Sequence, residues 1–194
     1  METEKQLIEA IRNGERAALR RLYDRYSGYA MAIALRYVPD RDEVRDVMQD
    51  SFVRILSTIA HFDYRGEGSL KAWVARIVCN KAIDHLRASS RFVLTDDSWR
   101  GFDIPDDGGQ DGDYKYLVTE PDIGDLPPDV LMELIGRLPP SYRTVLNLFV
   151  FEQQPHKEIA RRLGIKENTS SSIFFRAKRM LGKMITEHQN KQRT

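Results

Sequence analysis

Four polar side chains, Arg76, Asn80, Asp84 and Arg87, recur every three or four residues in SLKAWVARIVCNKAIDHLR (69–87). On an α-helix they fall within about 80° of one another. Leu70, Val74, Ile77, Val78, Ala82, Ile83 and Leu86 take up most of the remaining circumference. Such a narrow stripe of guanidinium and carboxamide groups can hydrogen-bond base edges and phosphates. Phe62, Tyr64 and Trp73 lie close by in sequence, and rings of this kind stack on unpaired bases at about 1–3 kcal/mol each. The competing reading is a solvated stripe over a core that contains Phe62 and Trp73, and composition alone favours it.

A second constellation lies in HKEIARRLGIKENTSSSIFFRAKRML (156–181). It reads as a helix, a glycine turn and a second helix ending in bases, the pattern of a helix-turn-helix that enters the major groove of DNA. Ile159, Ala160 and Leu163 are expected to face inward, with Gly164 in the left-handed turn and Ile165 filling the gap. On the second helix, Ser170, Phe174, Ala177 and Leu181 form the expected inner face. Ser171, Ser172, Phe175, Arg176, Lys178 and Arg179 spread over the outer side, offering hydroxyls and cations to phosphates and base edges. An ordinary helical hairpin with solvated bases is the alternative. Ser170 at an inner position must find a hydrogen bond or sit at the rim.

A third group, Asp46, Gln49, Asp50 and Val53, follows i, i+3, i+4, i+7 spacing and makes one coherent helix face. It suits docking of a partner helix, although solvated carboxylates are the commoner explanation. Covalent chemistry finds little support. Asp84 and His85 point about 100° apart on a helix, a poor catalytic dyad. His61, His85, His156 and His188 lack metal-ligand spacing and read as surface or cap residues. The single cysteine, Cys79, excludes an intrachain disulfide framework and reads as a packing residue. No cofactor and no metal are expected.

The elements that must position these groups are helical throughout. Helices are expected over 3–13, stopped by Gly14; over 15–38, with Leu19, Leu22, Tyr23, Tyr26, Ala30, Ile33 and Tyr37 inward; and from Asp40, capped in a box with Glu43. The third carries Val44, Val47, Met48, Phe52, Ile55 and Leu56. After the loop HFDYRGEG (61–68), Ser69 is the expected cap of the next helix. Between Phe92 and Pro128 periodicity fails among Asp, Gly and Pro, which predicts an extended tether. Charge follows the same division. Residues 1–90 hold 15 Lys/Arg and 13 Asp/Glu, residues 91–136 hold 3 and 12, and residues 137–194 hold 12 and 4. A basic C-terminal block can use its field on nucleic acid, whereas the acidic middle is repelled by it. The 194 residues thus predict an all-α protein of two small domains, 1–90 and 129–194, joined by an acidic flexible linker, 91–128. No apolar run approaches the roughly 18 residues that span a bilayer. The start METEKQLIEA is not signal-like, so a cytoplasmic location and no membrane insertion are expected.

Taken in order, RRLYDRYSGYAMAIALRYV, RDVMQDSFVRI, SLKAWVARIVCNKAIDHLR and LPPSYRTVLNLFVFE with the helix-turn-helix resemble an extracytoplasmic-function sigma factor, the compact class of bacterial transcription initiation factors. The resemblance covers nearly the whole chain except the linker. It implies a promoter-specificity subunit that binds core RNA polymerase, melts the −10 element and anchors on the −35 duplex, itself no enzyme. Asp46, Gln49, Asp50 and Val53 would then contact core polymerase. Loop 61–68, with Trp73, Arg76, Asn80 and Arg87, would handle the −10 strand. Thr169, Ser171, Ser172, Arg176, Lys178 and Arg179 would meet the −35 element. Partners implied are core RNA polymerase, promoter DNA and an anti-sigma factor. The chain departs from the family's common GTVKSRxxRAR pattern, with Ser171 and Ile173 where bases are usual. The loss of two phosphate contacts predicts weakened or unusual −35 binding. The alternative class is a helix-turn-helix regulator that binds operators without replacing the promoter subunit.

Overall fold

The computed structural model describes residues 2–89 and 126–192, so the expected acidic tether, apart from its last three residues, lies outside the described residues. Among the described residues eight α-helices follow one another: α1 Glu4–Arg12, α2 Arg16–Tyr37, α3 Arg41–Thr58, α4 Ser69–Ala88, α5 Pro128–Gly136, α6 Pro140–Val150, α7 His156–Leu163 and α8 Glu167–Gln192. A single 3-10 turn, Ile59–His61, follows α3, and no strand occurs among the described residues. The all-α expectation is met. The chain divides into two compact units, Met1–Ser89 and Ser90–Thr194.

In the first unit, α1 begins with a reciprocal cap. Thr3 Oγ1 accepts from the Gln6 amide at 3.2 Å, and Gln6 Oε1 accepts from the Thr3 amide at 2.9 Å. Two orphan amides are thereby satisfied. Helix α2 buries Ala18, Leu22, Tyr26, Ala30, Ile33, Ala34 and Tyr37, a stripe at helical spacing, and ends ahead of Pro39. Asp40 caps α3 as expected, accepting from the amides of Asp42 and Glu43. The Glu43 carboxylate lies 3.2 Å from His85 of α4 and ties the two helices together. Helix α4 buries Leu70, Val74, Ala75, Val78, Cys79, Ala82, Ile83 and Leu86 against α2 and α3. The Cys79 thiol is enclosed there and donates to the Tyr37 hydroxyl at 3.4 Å. Three expected core residues are not in it: Tyr23 and Leu56 are exposed, and Leu19 is only half-buried. Each sits at the edge of its apolar stripe, where helical periodicity cannot tell rim from core.

The N-terminus of α4 is held by a residue 64 positions away in sequence. Ser69 was the expected cap, but Gly68 occupies that place at φ +89°, with no side-chain cap of its own. Ser69 Oγ instead donates to the Gly66 carbonyl. The orphan amides turn to the buried Glu4 carboxylate: Gly68 N at 2.9 Å, Leu70 N at 3.0 Å and Lys71 N at 3.2 Å. The Tyr26 hydroxyl donates to the same carboxylate at 2.8 Å. A carboxylate at a helix N-terminus also meets the favourable end of the helix dipole. A second tether runs alongside, where Arg12 donates to the carbonyls of Ala60 and Phe62.

In the second unit, α5 and α6 each start at a proline, whose missing N–H is no loss in a first turn. Every residue from Ser141 to Leu148 of α6 is buried. Among them is Arg143, which donates to the carbonyls of Gly136 (2.6 Å) and Leu138 (3.0 Å) and so satisfies the end of α5. Gly164 closes α7 at φ +72°, and its N–H reaches Ala160 O. An added Cβ there would meet nothing within 4 Å, so the glycine serves the backbone conformation and not space. Gly164→Ala is accordingly expected to cost about 1 kcal/mol of left-handed strain. Urea denaturation of the full-length chain, followed through the second unit, measures it.

Candidate nucleic-acid interface

An open groove of about 750 Å³ runs between the last turns of α3, the loop after it and the outer face of α4. Trp73, Arg76 and Asn80 line it, with Arg54 from α3 and Asp63 and Arg65 from the loop. The geometry follows from α4 itself. One side of the helix is fully buried, and Arg76, Asn80, Asp84 and Arg87 stand on the exposed side. The solvated stripe is therefore also the wall of a concavity. Trp73 is half-buried, braced by Phe62 at a ring separation of 5.0 Å. Its remaining surface fronts the groove, as a ring for stacking requires.

The predicted residues do not all share this site. Phe62, expected as a stacking surface, is only 8% exposed and acts as the floor under Trp73. Tyr64 is not part of the groove wall, and its hydroxyl donates to Glu67 at 3.3 Å. Arg87 lies about 16 Å along the axis from Arg76, beyond the groove lining. Two cations escaped the sequence reading. Arg54 comes into the groove only because α3 packs against α4, a juxtaposition that no local pattern encodes. Arg65 sits in the HFDYRGEG loop, where its charge was a usable signal; it pairs with Asp63 at 3.0 Å. Neither the Arg54 nor the Arg76 guanidinium has an ion-pair or hydrogen-bond partner among the described residues. Both are available to phosphate, with Asp63 and Asp84 setting an acidic limit on either side.

On α3, Asp46, Gln49, Asp50 and Val53 are all exposed and share one face, as their spacing predicts. Val53, at 63% exposure, is the most open large apolar side chain described. Exposed Leu56 and Tyr23 extend the apolar area, and the Tyr23 ring rests 4.7 Å from Phe52. Asp50 has Lys81 of α4 at 4.0 Å, a loose pair worth little at the surface.

The helix-turn-helix is formed by α7 and α8, but the inner face of α8 is turned from its expected position. Ser170, Ile173, Ala177 and Met180 are buried, while Phe174 and Leu181 are half-exposed. Ile173 is thus a core residue, and a base there would be enclosed. Its departure from the family pattern removes no outward phosphate contact, contrary to expectation. Ser171 is exposed, and Thr169, Ser172, Arg176, Lys178 and Arg179 are partly exposed, distributed around the remaining circumference. Thr169 and Arg176 flank the buried stripe, so the centre of the outward face holds Ser171, Phe175 and Arg179.

Buried Ser170 is satisfied by His156, whose Nδ1 lies 3.0 Å from Ser170 Oγ. The His156 ring stacks on Phe149 at 4.5 Å, and Phe174 closes on Phe149 from α8 at 4.4 Å. His156 is consequently a packing residue that joins α6, α7 and α8, and not a surface or cap residue as expected. Burial lowers its pKa, opposed by the nearby Glu167 charge. The neutral ring is favoured in the fold, so its contribution is complete above the unfolded value of about 6.5. It is lost as pH falls through the lower folded value. The melting temperature of the second unit is expected to drop between pH 7.5 and 5, with a flatter slope in His156→Gln; calorimetry of both full-length chains tests this.

Residues 22–92 match the family described as Sigma-70 region 2, and residues 129–181 match Sigma-70, region 4. The class so defined is a two-module, promoter-recognising initiation factor. Relatives align over most of the chain. The ECF RNA polymerase sigma-E factor of Haemophilus influenzae is 27% identical over 191 residues, covering 94% of this chain and 95% of the relative. The RNA polymerase sigma-H factor of Pseudomonas aeruginosa is 27% identical over 188 residues, covering 95% and 94%. A solved structure, that of CnrH in complex with the cytosolic domain of CnrY, aligns with 93% of this chain and 96% of that one, at 22% identity and a TM-score of 0.46. The chain belongs to the extracytoplasmic-function sigma factors, and it recognises promoters in company with RNA polymerase. Sigma factors are non-enzymatic initiation factors.

Proposed function

We propose that the two units divide promoter recognition between them, with residues 1–90 engaging core polymerase and the separated −10 strand and residues 129–194 engaging the −35 duplex. The observation that carries this is the open groove, where a braced Trp73 stands beside Arg76 and Asn80. An indole that is half-covered from below and open above suits an unstacked base. Arg54 and Arg76 suit the phosphates on either side of it, and Asn80 suits a base edge. Among the described residues Arg54 and Arg76 have no charge partner, which supports this reading, because no ion pair with them must break when a phosphate arrives. On α8, Ser171, Ser172, Arg176, Lys178 and Arg179 are the proposed duplex contacts, with Thr169 at the edge. The +8 balance of residues 137–194 supplies the field.

Core polymerase is assigned to the α3 face. Asp46, Gln49, Asp50 and Val53 combine carboxylates with an exposed apolar centre, the makeup of a docking surface with a polar rim. An anti-sigma partner would act by covering this face or the groove, since both are open. The chain itself performs no covalent step in this reading, and it works in the cytoplasm. No helix among the described residues is long and apolar enough to cross a membrane.

The two faces separate by mutation. Arg76→Ala and Asn80→Ala are expected to reduce open-complex formation about tenfold, from losses of 1–3 kcal/mol, while binding to core polymerase stays unchanged. Arg76→Ala also flattens the log–log salt dependence of single-strand binding by about 0.7. Permanganate footprinting and salt titration measure the two effects, and unaltered melting at every promoter tested counts against the groove. Charge reversal at both Asp46 and Asp50 is expected to weaken polymerase association at least tenfold. The helix-turn-helix unit should keep its duplex affinity, and unchanged comigration of the double variant with core polymerase removes the docking assignment.

A further inference from the structure

We propose that Glu4 is a positioning residue for the −10 strand, acting from α1 through the N-terminus of α4 and the loop that walls the groove. The inference rests on the groove reading above and extends it to a helix outside the matched Sigma-70 region 2 segment, which begins at residue 22.

Three observations converge on it. Glu4 is 2% exposed, and its two carboxylate oxygens accept from four donors on three separate segments: the Gly68 amide, the Leu70 and Lys71 amides, and the Tyr26 hydroxyl. The segments so joined belong to the groove's own frame. His61, Phe62, Asp63, Arg65 and Ser69 line one of its walls, and α4 carries Trp73, Arg76 and Asn80 within the next three turns. Second, α4 has no cap of its own, because Gly68 supplies none and Ser69 Oγ is spent on Gly66. A helix whose first amides depend on a distant carboxylate takes its starting point from that carboxylate. Third, the loop is fastened by the same helix at two further places. Arg12 donates to the Ala60 and Phe62 carbonyls, and the Glu67 carboxylate lies 3.4 Å from the Glu4 amide.

The consequence is specific to one function. The α3 docking face is built on Asp40, which caps α3 independently of Glu4. Loosening the Glu4 contact therefore leaves polymerase binding intact but blurs the placement of Trp73 against Arg76 and Asn80. Glu4→Gln keeps the shape and one accepting oxygen, yet places an NH₂ group among the amide donors. Glu4→Asp keeps the charge but shortens the reach. Tyr26→Phe removes one donor and leaves the three backbone amides.

The test uses full-length chain bound to core polymerase and a fork oligonucleotide with a single-stranded −10 segment. Glu4→Gln is expected to weaken fork binding about tenfold, the loss of a charge-assisted hydrogen-bond set, with core affinity within about twofold of the parent. Amide exchange at Leu70 and Lys71 should rise in parallel. Glu4→Asp should recover part of the loss, and Tyr26→Phe should show a smaller one. Parallel loss of core affinity, as in general unfolding, overturns the proposal. So does unchanged fork binding in Glu4→Gln while Arg76→Ala is defective. If Arg76→Ala binds the fork normally, the groove reading itself has failed, and that outcome is distinct from failure of Glu4 alone.

Discussion

A carboxylate with almost no exposure organises the first unit. Burying Glu4 removes a charged group from water, a cost of several kcal/mol unless hydrogen bonds replace the lost hydration. Four donors do so, and three of them are amides that α4 could not otherwise satisfy. Each partner thus solves the other's desolvation problem. The arrangement fixes where α4 begins, and the beginning of a helix sets the azimuth of every residue along it. Trp73, Arg76 and Asn80 face the groove because α4 starts at Ser69 and buries its opposite side from Leu70 to Leu86.

The second unit solves a similar problem differently. Two of its buried polar residues are met by short-range or stacked partners: Arg143 by carbonyls at the end of α5, and Ser170 by His156. The glycine turn at 164 sets the crossing of α7 and α8, and the aromatic group of Phe149, His156 and Phe174 locks that crossing from α6. What remains of α8 is an outward surface of hydroxyls and cations around Phe175.

Much of this was legible from residue spacing. Helix ends were marked by Gly14, Pro39, Asp40 and Gly164, and the buried stripes of α2, α3 and α4 follow their apolar periods. The α4 stripe was readable because it interrupts an apolar helix. What spacing could not give was the outcome of contacts between distant segments. Ser69 looks like a cap until Glu4 arrives from 65 residues away. Phe62 looks like an open ring until Trp73 covers it. Arg54 has no local reason to join the groove. On α8, Ile173 was read by analogy with a sequence pattern, and packing against its neighbours decided otherwise.

The enclosed thiol of Cys79, bonded to Tyr37, has a practical corollary. It is the sole sulfhydryl in the chain, and maleimides reach only accessible thiolates. The native fold is therefore silent to such dyes, and a single cysteine introduced on the outer surface would be the one labelled site. Fluorophore pairs could then report distances between chosen points without first removing the natural sulfur.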